Sequence, residues 1–146
     1  MQKVALIGNP NCGKTTIFNL LTGANQKVGN WPGVTVEKKI GFFKISGKEA
    51  ELVDLPGIYS LEQEYRGIDE GIALDYLNSG HIDLIINIID ATNLERSLVL
   101  TQQLLEKPIP VLIALNMMDV AEQQGVSVSA EKLADMASAG YFGSDS

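Results

Sequence analysis

The chain has 146 residues, a formal net charge of −7 and one cysteine; this length allows a core of ordinary size, and a single cysteine excludes an internal disulfide and suits a reducing compartment such as the cytoplasm. The acidic balance, without a cluster of Lys and Arg, disfavours a nucleic-acid surface and acidic partners. No stretch approaches the roughly 20 apolar residues of a membrane helix, and the first residues are strand-like rather than a signal peptide, so this segment is expected to be soluble.

Strand-like and helix-like patterns alternate along the chain. Strands are expected at 3–8, 36–45, 48–54, 83–90 and 110–116, and helices at 14–22, 66–78, 94–106 and 129–137. Three strands are almost continuously apolar, as buried parallel strands are. Ser46-Gly47-Lys48 indicates a hairpin that would make one antiparallel edge. The pattern predicts an α/β three-layer sandwich whose sheet is mostly parallel with one antiparallel edge strand.

The first strand leads into Gly8-Asn9-Pro10-Asn11-Cys12-Gly13-Lys14-Thr15, and a helix-like stretch follows. Strand, glycine loop and helix in this order are typical of a phosphate-binding loop, whose backbone N–H groups surround a polyphosphate at a helix N-terminus. Lys14 would contact the β- and γ-phosphates, and the Thr15 hydroxyl would ligate Mg²⁺. The alternative is a chance match in a glycine-rich turn, which the flanking strand and helix disfavour. The fold is therefore predicted to be a P-loop NTPase.

Asp54-Leu55-Pro56-Gly57 comes directly after Leu52-Val53, at the end of the third predicted strand. An aspartate at this edge of the sheet can hold Mg²⁺ through water, and the backbone N–H of Gly57 can meet a γ-phosphate. The alternative is an ordinary strand end followed by a Pro-Gly turn. The upstream phosphate loop favours the metal site.

Asn116-Met117-Met118-Asp119 follows the last predicted strand. The Asp119 carboxylate can accept two N–H donors from a guanine edge, and a base without them would leave the carboxylate unpaired. The alternative is that Asp119 caps a helix. The motif predicts a preference for guanine over adenine.

Together these elements resemble the translation-factor-like GTPases, and among them the N-terminal G domain of the ferrous iron transport protein B family. The stretches that carry the resemblance are Gly8 to Thr15, Val28 to Glu37, Asp54 to Ser60, Asn93 to Arg96 and Asn116 to Asp119. Val-Gly-Asn-Trp-Pro-Gly-Val-Thr-Val-Glu is far more specific than the phosphate loop alone. The resemblance covers residues 3–135. It implies a GTP- and GDP-binding domain that hydrolyses GTP with Mg²⁺ and K⁺ beside the membrane portion of a transporter, at the cytoplasmic face of the inner membrane, with a homo-oligomer left open.

The resemblance makes 25–35 the first switch. Thr35 looks like the switch threonine that reaches Mg²⁺ and the γ-phosphate in the triphosphate state, with Gly33 and Val34 beside it. The glycines and the Trp-Pro pair predict a mobile loop with little regular structure. The Trp31 side chain has an alternative interpretation as a buried core anchor.

Asn11 resembles the asparagine that holds a monovalent cation in related potassium-stimulated GTPases, together with first-switch carbonyls, here assigned to Gly29 and Trp31. Such a cation would offset charge that develops during phosphoryl transfer, in place of an arginine finger. The alternative is that Asn11 only braces the loop by hydrogen bonds.

The predicted site residues fall into three roles. Catalytic roles are assigned to Asn11, Lys14, Thr35 and Gly57. Nucleotide contacts are assigned to Gly8, Asn9, Pro10, Asn11, Cys12, Gly13, Lys14, Thr15, Thr16, Gly33, Val34, Thr35, Asp54, Gly57, Asn116, Met117 and Asp119. Thr15, Thr35 and Asp54 would hold Mg²⁺. Ile58 stands where many GTPases carry a water-orienting glutamine, which predicts slow intrinsic hydrolysis.

Several other titratable residues are expected to have no catalytic role. Cys12 is interpreted as inert rather than as a redox switch, and His81, without a second ligand nearby, as solvated. The acidic residues Glu62, Glu64, Asp69, Glu70 and Asp75 are interpreted as a solvated helix face rather than an iron site.

The end of the chain departs from the family pattern. Residues 1–137 are expected to form one domain that lacks the last strand, with its second guanine-binding segment, and the final helix; residues 138–146 form a small polar tail, expected to be disordered. Met117 also replaces the usual lysine, whose alkyl stem packs on the base. Three alternatives to a GTPase switch therefore stay open: a regulatory nucleotide-binding module with incidental hydrolysis, a promiscuous NTPase that accepts GTP and ATP, and a fragment that does not bind nucleotide tightly.

Overall fold

The computed structural model describes residues 1–61, 67–91 and 94–116. Within these ranges the elements are β1 (Gln2–Gly8), α1 (Lys14–Thr22), β2 (Gln26–Asn30), β3 (Glu37–Ile45), β4 (Lys48–Asp54), α2 (Ile68–Leu77), β5 (Leu84–Asp90), α3 (Leu94–Leu105) and β6 (Val111–Asn116). The predicted helix at 129–137, the predicted tail at 138–146 and the acidic residues Glu62 and Glu64 lie outside the described residues. None of the described helices is both long enough and apolar enough to cross a membrane.

The strands form a single sheet in the order β2-β3-β4-β1-β5-β6. β1 pairs in parallel with β4 and with β5, and β5 pairs in parallel with β6. β3 pairs antiparallel with both of its neighbours, β4 and β2. Among the described strands β3 therefore runs against all the others, which confirms the mostly parallel sheet with one antiparallel strand on the predicted side, although β2 and not β3 forms the edge itself.

The edge next to β3 is a strand that the sequence did not predict. Residues 26–30 form β2, so the expectation of a loop without regular structure is wrong for this part of 25–35. Four of its five residues are exposed, and Gly29 and Asn30 have low strand propensity. The strand exists because β3 offers it a hydrogen-bonding edge, and the Trp31 N–H donates to the Val36 carbonyl at 2.9 Å where the two strands meet.

Helices cover both faces of the sheet, as predicted for a three-layer sandwich. Consecutive residues of β1 point to opposite faces, so a fully buried parallel strand is apolar at nearly every position. On one face α1 packs Ile17 and Phe18 against the sheet. On the other face α2 and α3 contribute Leu74 and Leu100 to a second core.

The parallel strands align their carboxyl ends at one edge of the sheet. Leu6, near the end of β1, is in register with Asp54 at the end of β4, and Asp90 at the end of β5 is in register with Asn116 at the end of β6. Loops that are distant in the sequence therefore meet at this edge, where open α/β sheets bind their ligands.

Candidate functional site

The loop after β1 has a backbone shaped by two left-handed residues. Asn11 has φ 63° and Gly13 has φ 91°, and glycine and asparagine adopt this conformation at little steric cost. α1 begins immediately afterwards at Lys14, and no side chain caps its N-terminal N–H groups. These donors and the positive end of the helix dipole face the loop, which suits an anion such as a phosphate.

Gly8 is required by close packing rather than by its backbone angle. A Cβ at this position would lie 2.6 Å from the Cys12 Sγ and 2.8 Å from the Ile88 carbonyl oxygen. The Cys12 side chain is buried in the core beneath the loop. Burial raises the pKa of the Cys12 thiol, against the opposing effect of the Lys14 charge. Cys12 therefore presents only its backbone to the outer side of the loop.

Lys14 and Asp54 are joined directly by an ion pair between Lys14 Nζ and Asp54 Oδ1. Both side chains are only 11% exposed, so the pair lies largely out of solvent. Lys14 begins α1 and Asp54 ends β4, and the parallel pairing of β4 with β1 brings the two together. The structure thus places the predicted phosphate-binding lysine beside the predicted metal-binding carboxylate.

Three hydrogen bonds bind residues 55–61, the segment after β4, to β1 and to the phosphate loop. The N–H groups of Leu55 and Ile58 donate to the carbonyls of Leu6 and Gly8, each at 3.0 Å. The buried Asn9 Nδ2 donates to the Ile58 carbonyl at 2.8 Å. Asn9 thus has a structural role as a clamp that its position in the motif did not reveal.

Within the segment after β4, Gly57 contacts the phosphate loop, whereas Ile58 points into the core. A Cβ on Gly57 would lie 2.9 Å from the Pro10 Cα, so only glycine allows this approach of the two loops. The Ile58 side chain is fully buried in the core on the α2 and α3 face. It cannot reach a water molecule in the loop, in agreement with the interpretation made from its apolar character.

The loops line an open cavity of about 470 Å³ at the carboxyl edge of the sheet. Its lining consists of Asn9, Pro10, Asn11, Gly13, Lys14, Thr15, Gly57 and Asp69. Seven of these eight residues belong to the predicted site. Asp69 does not: it lies in the first turn of α2 and was interpreted as part of a solvated face. No local signal marks it, because its position depends on how α2 packs over the sheet.

Asn116 connects the end of β6 to the phosphate loop. Its Nδ2 donates to the Cys12 carbonyl at 2.9 Å, and the side chain is fully buried. Its Oδ1 is also buried and has no hydrogen-bond partner among the described residues. The predicted base-binding residues Met117 and Asp119 lie outside the described residues.

The predicted first-switch residues do not line this cavity. Thr35 is exposed and, like Gly29 and Trp31, does not contribute to the described lining. Gly33 has φ 78°, and the Val34 N–H donates to the Trp31 carbonyl at 3.2 Å in the same turn.

Trp31 is a core residue. Its ring makes an edge-to-face contact with Tyr76 at 5.6 Å between centroids, and Lys38 Nζ lies 4.7 Å from the ring centroid on strand β3. Burial, with a smaller contribution from the charge of Glu51, raises the pKa of Tyr76 to about 12. The core-anchor interpretation of the Trp31 side chain is thus correct.

A strand, a phosphate loop that opens a helix, and a carboxylate at the end of an adjacent strand define the fold of a P-loop NTPase. The family model of ferrous iron transport protein B matches residues 2–139. A curated relative, the Fe(2+) transporter FeoB of Legionella pneumophila (strain Lens), is 58% identical over 135 residues, which is 91% of this chain and 18% of the relative. The chain therefore belongs to the ferrous iron transport protein B family.

Solved structures of the family have the same fold. The cytosolic domain of L. pneumophila FeoB matches with a TM-score of 0.77 at 57% identity, covering 85% of this chain and 49% of that chain. A GDP-bound mutant of the S. thermophilus FeoB G-domain matches with a TM-score of 0.74 at 57% identity. The match covers 84% of this chain and 46% of that chain. This chain thus spans about half of each solved chain and less than a fifth of the curated relative.

Proposed function

We propose that this chain is the GTP-binding and GTP-hydrolysing switch domain of a ferrous iron transporter, dependent on Mg²⁺ and stimulated by K⁺. The observation that carries the proposal is the cavity at the carboxyl edge of the sheet. Lys14 and Thr15, the first residues of α1, line it together with Gly57, and no side chain caps the N-terminus of this helix. A GDP-bound relative with 57% identity supports a guanine nucleotide as the ligand.

The donor set fits a magnesium nucleotide. The hydroxyl of Thr15 and the carboxylate of Asp54 are hard oxygen ligands of the kind that Mg²⁺ prefers, and Thr35 would join them when the first switch orders. Bound Mg²⁺ would neutralise charge on the phosphates. Lys14 would leave its ion pair with Asp54 to contact the β- and γ-phosphates, which releases the carboxylate for the metal.

Potassium stimulation rests on Asn11. Its side chain lies on the exposed part of the loop and lines the cavity, so its amide oxygen is available to a monovalent cation. The carbonyls of Gly29 and Trp31 would complete the ligand set when the first switch moves toward the loop. A cation at this place would stabilise charge that develops between the phosphates, the role that an arginine finger has elsewhere.

Hydrolysis itself is expected to be slow. Ile58 is buried and cannot orient water, so the attacking water would be positioned by backbone groups or by another residue. Guanine preference would come from Asp119, with Met117 beside it, and from Asn116, whose side chain is bound to the phosphate loop. The remaining parts of the transporter, in the membrane, would be the partner that senses the switch from the cytoplasmic face.

The test is steady-state phosphate release from GTP and from ATP, each in KCl and in NaCl. The unaltered chain is compared with Asn11→Ala and Asn11→Gly; glycine adopts φ 63° without strain, so agreement between the two variants isolates the loss of the amide. We expect faster GTP turnover in KCl and loss of this difference in both variants.

Other outcomes identify the alternatives. A GTP turnover that is insensitive to K⁺ would favour a regulatory module with incidental hydrolysis. Equal turnover of GTP and ATP would indicate a promiscuous NTPase. Absence of nucleotide binding would refute the proposal altogether.

A further inference from the structure

The segment that follows β4 is held at both ends. At the phosphate loop, the Ile58 N–H donates to the Gly8 carbonyl at 3.0 Å. At the other end, the Leu61 N–H donates to Gln103 Oε1 at 2.6 Å, and Gln103 Nε2 donates to Ser60 Oγ at 2.9 Å. The Gln103 side chain on α3 therefore accepts a hydrogen bond from Leu61 and donates one to the adjacent Ser60.

The same face of α3 makes a second contact with this segment. The Arg96 guanidinium lies 4.5 Å from the centroid of the Tyr59 ring, within the range of a cation–π interaction. Arg96 and Gln103 are about two helical turns apart and so lie on one face of the helix. Leu100, between them, is buried in the core. α3 thus contacts residues 59–61 through Gln103 and Arg96, while Leu100 on the same helix is packed in the core.

Gln103 has room to release the segment. Its half-buried side chain also lines a second cavity of about 510 Å³, with Leu77, Gly80, Ile82 and Lys107 among the other lining residues. The amide can therefore rotate into open space without displacing a core side chain. Core side chains at neighbouring positions, such as Leu104, have no such freedom because they are fully packed.

We infer that Gln103 is a positioning residue, a latch between residues 59–61 and α3. The latch holds Gly57 at the wall of the cavity at the carboxyl edge of the sheet, and so favours the binding of a triphosphate over the binding of a diphosphate. The inference rests on the proposed function. A diphosphate is held by the loop from Gly8 to Thr15, whereas the additional phosphate of a triphosphate is the group that Gly57 would meet. Since only the triphosphate gains from a correctly placed Gly57, the latch changes the ratio of the two affinities.

The test uses three variants of the 146-residue chain. Gln103→Met keeps the length of the side chain but removes both hydrogen bonds. Gln103→Glu still accepts from the Leu61 N–H and can accept from the Ser60 hydroxyl. Gln102→Met is the matched control, because Gln102 is the same residue type, adjacent and exposed. The dissociation constants of GDP and of a non-hydrolysable GTP analogue are measured for each with Mg²⁺ present.

We expect Gln103→Met to weaken binding of the analogue about tenfold relative to GDP, as loss of one or two ordinary hydrogen bonds would. Gln103→Glu should restore most of the ratio, and Gln102→Met should leave it unchanged. An unchanged ratio in Gln103→Met, or equal weakening of both nucleotides, would overturn the latch while leaving the proposed function intact. Failure of the unaltered chain to bind either nucleotide would instead refute the proposed function, and the latch with it.

Discussion

The side-chain amide of Asn116 donates to the backbone carbonyl of Cys12 at 2.9 Å, and both residues are buried. This bond joins the end of β6 to the middle of the phosphate loop, between residues far apart in the sequence. It holds the loop that would contact phosphate at a fixed distance from the strand end that would contact the base.

Asn116→Ala should therefore lower both stability and nucleotide affinity. The substitution leaves the Cys12 carbonyl buried without its donor, which costs about 1–3 kcal/mol of unfolding free energy. Urea unfolding and GDP titration measure the two effects. Asn19→Ala, on α1, is the control: it removes only an exposed hydrogen bond, in which Gln26 Nε2 donates to Asn19 Oδ1 at 2.9 Å, and should change stability by no more than about 0.5 kcal/mol. Equal behaviour of the two variants would show that the bond contributes nothing.

Gly57→Ala should impair triphosphate binding through a steric effect. The new Cβ would lie 2.9 Å from the Pro10 Cα, so the segment after β4 must move away from the phosphate loop. We expect affinity for a non-hydrolysable GTP analogue to fall about tenfold, with GDP affinity nearly unchanged. Isothermal titration with both nucleotides checks this.

Gly41→Ala provides the contrast, because its Cβ would lie 2.2 Å from the Thr22 Cγ2, within the core and away from the cavity. It should lower stability by roughly 1–3 kcal/mol, as overpacking does, without altering the ratio of nucleotide affinities. The steric account of Gly57 would be contradicted if the two alanine variants changed that ratio alike.

Ile58→Gln should not accelerate hydrolysis, although it introduces the residue type that orients water in many GTPases. The side chain at 58 is fully buried beneath α2 and α3, where an amide would lose apolar burial and find no matched partners. Stability should fall by about 3 kcal/mol. Single-turnover GTP hydrolysis and urea unfolding test both parts, and a faster rate in the variant would refute the placement of this side chain.

Cys12 should resist alkylation in the folded chain. Only the thiolate reacts, and burial both shields the sulfur and raises the pKa of the thiol. The rate with iodoacetamide should be at least about tenfold lower than in urea, and its rise with pH should be displaced to higher pH.

The same shift has a consequence for stability. Because the folded state holds the thiol proton more tightly than the unfolded state, stability decreases as the pH rises above the pKa of this thiol in the unfolded chain. The measurement is the unfolding free energy from about pH 7 to about pH 10, in the unaltered chain and in Cys12→Ala. A pH dependence that is the same in both would exclude Cys12 as its cause.

The sequence by itself determined the elements whose signals are local. The apolar runs of β1, β5 and β6, the helix from Lys14 to Thr22 and the hairpin at Gly47 all lie within a few residues of the predicted limits, because buried strands, helix starts and tight turns depend on adjacent residues. The phosphate loop is predictable for the same reason: its glycines, lysine and threonine are close together in the chain.

Only the tertiary structure decided the rest. β2 forms because β3 presents an edge to it. Asp69 lines the cavity at the carboxyl edge of the sheet because α2 packs over the sheet, and Gln103 reaches Ser60 because α3 lies beside the segment after β4. Each of these depends on contacts between residues far apart in the chain, whose energies come from pairing and burial rather than from the intrinsic preference of any residue. No local pattern in the sequence records such contacts.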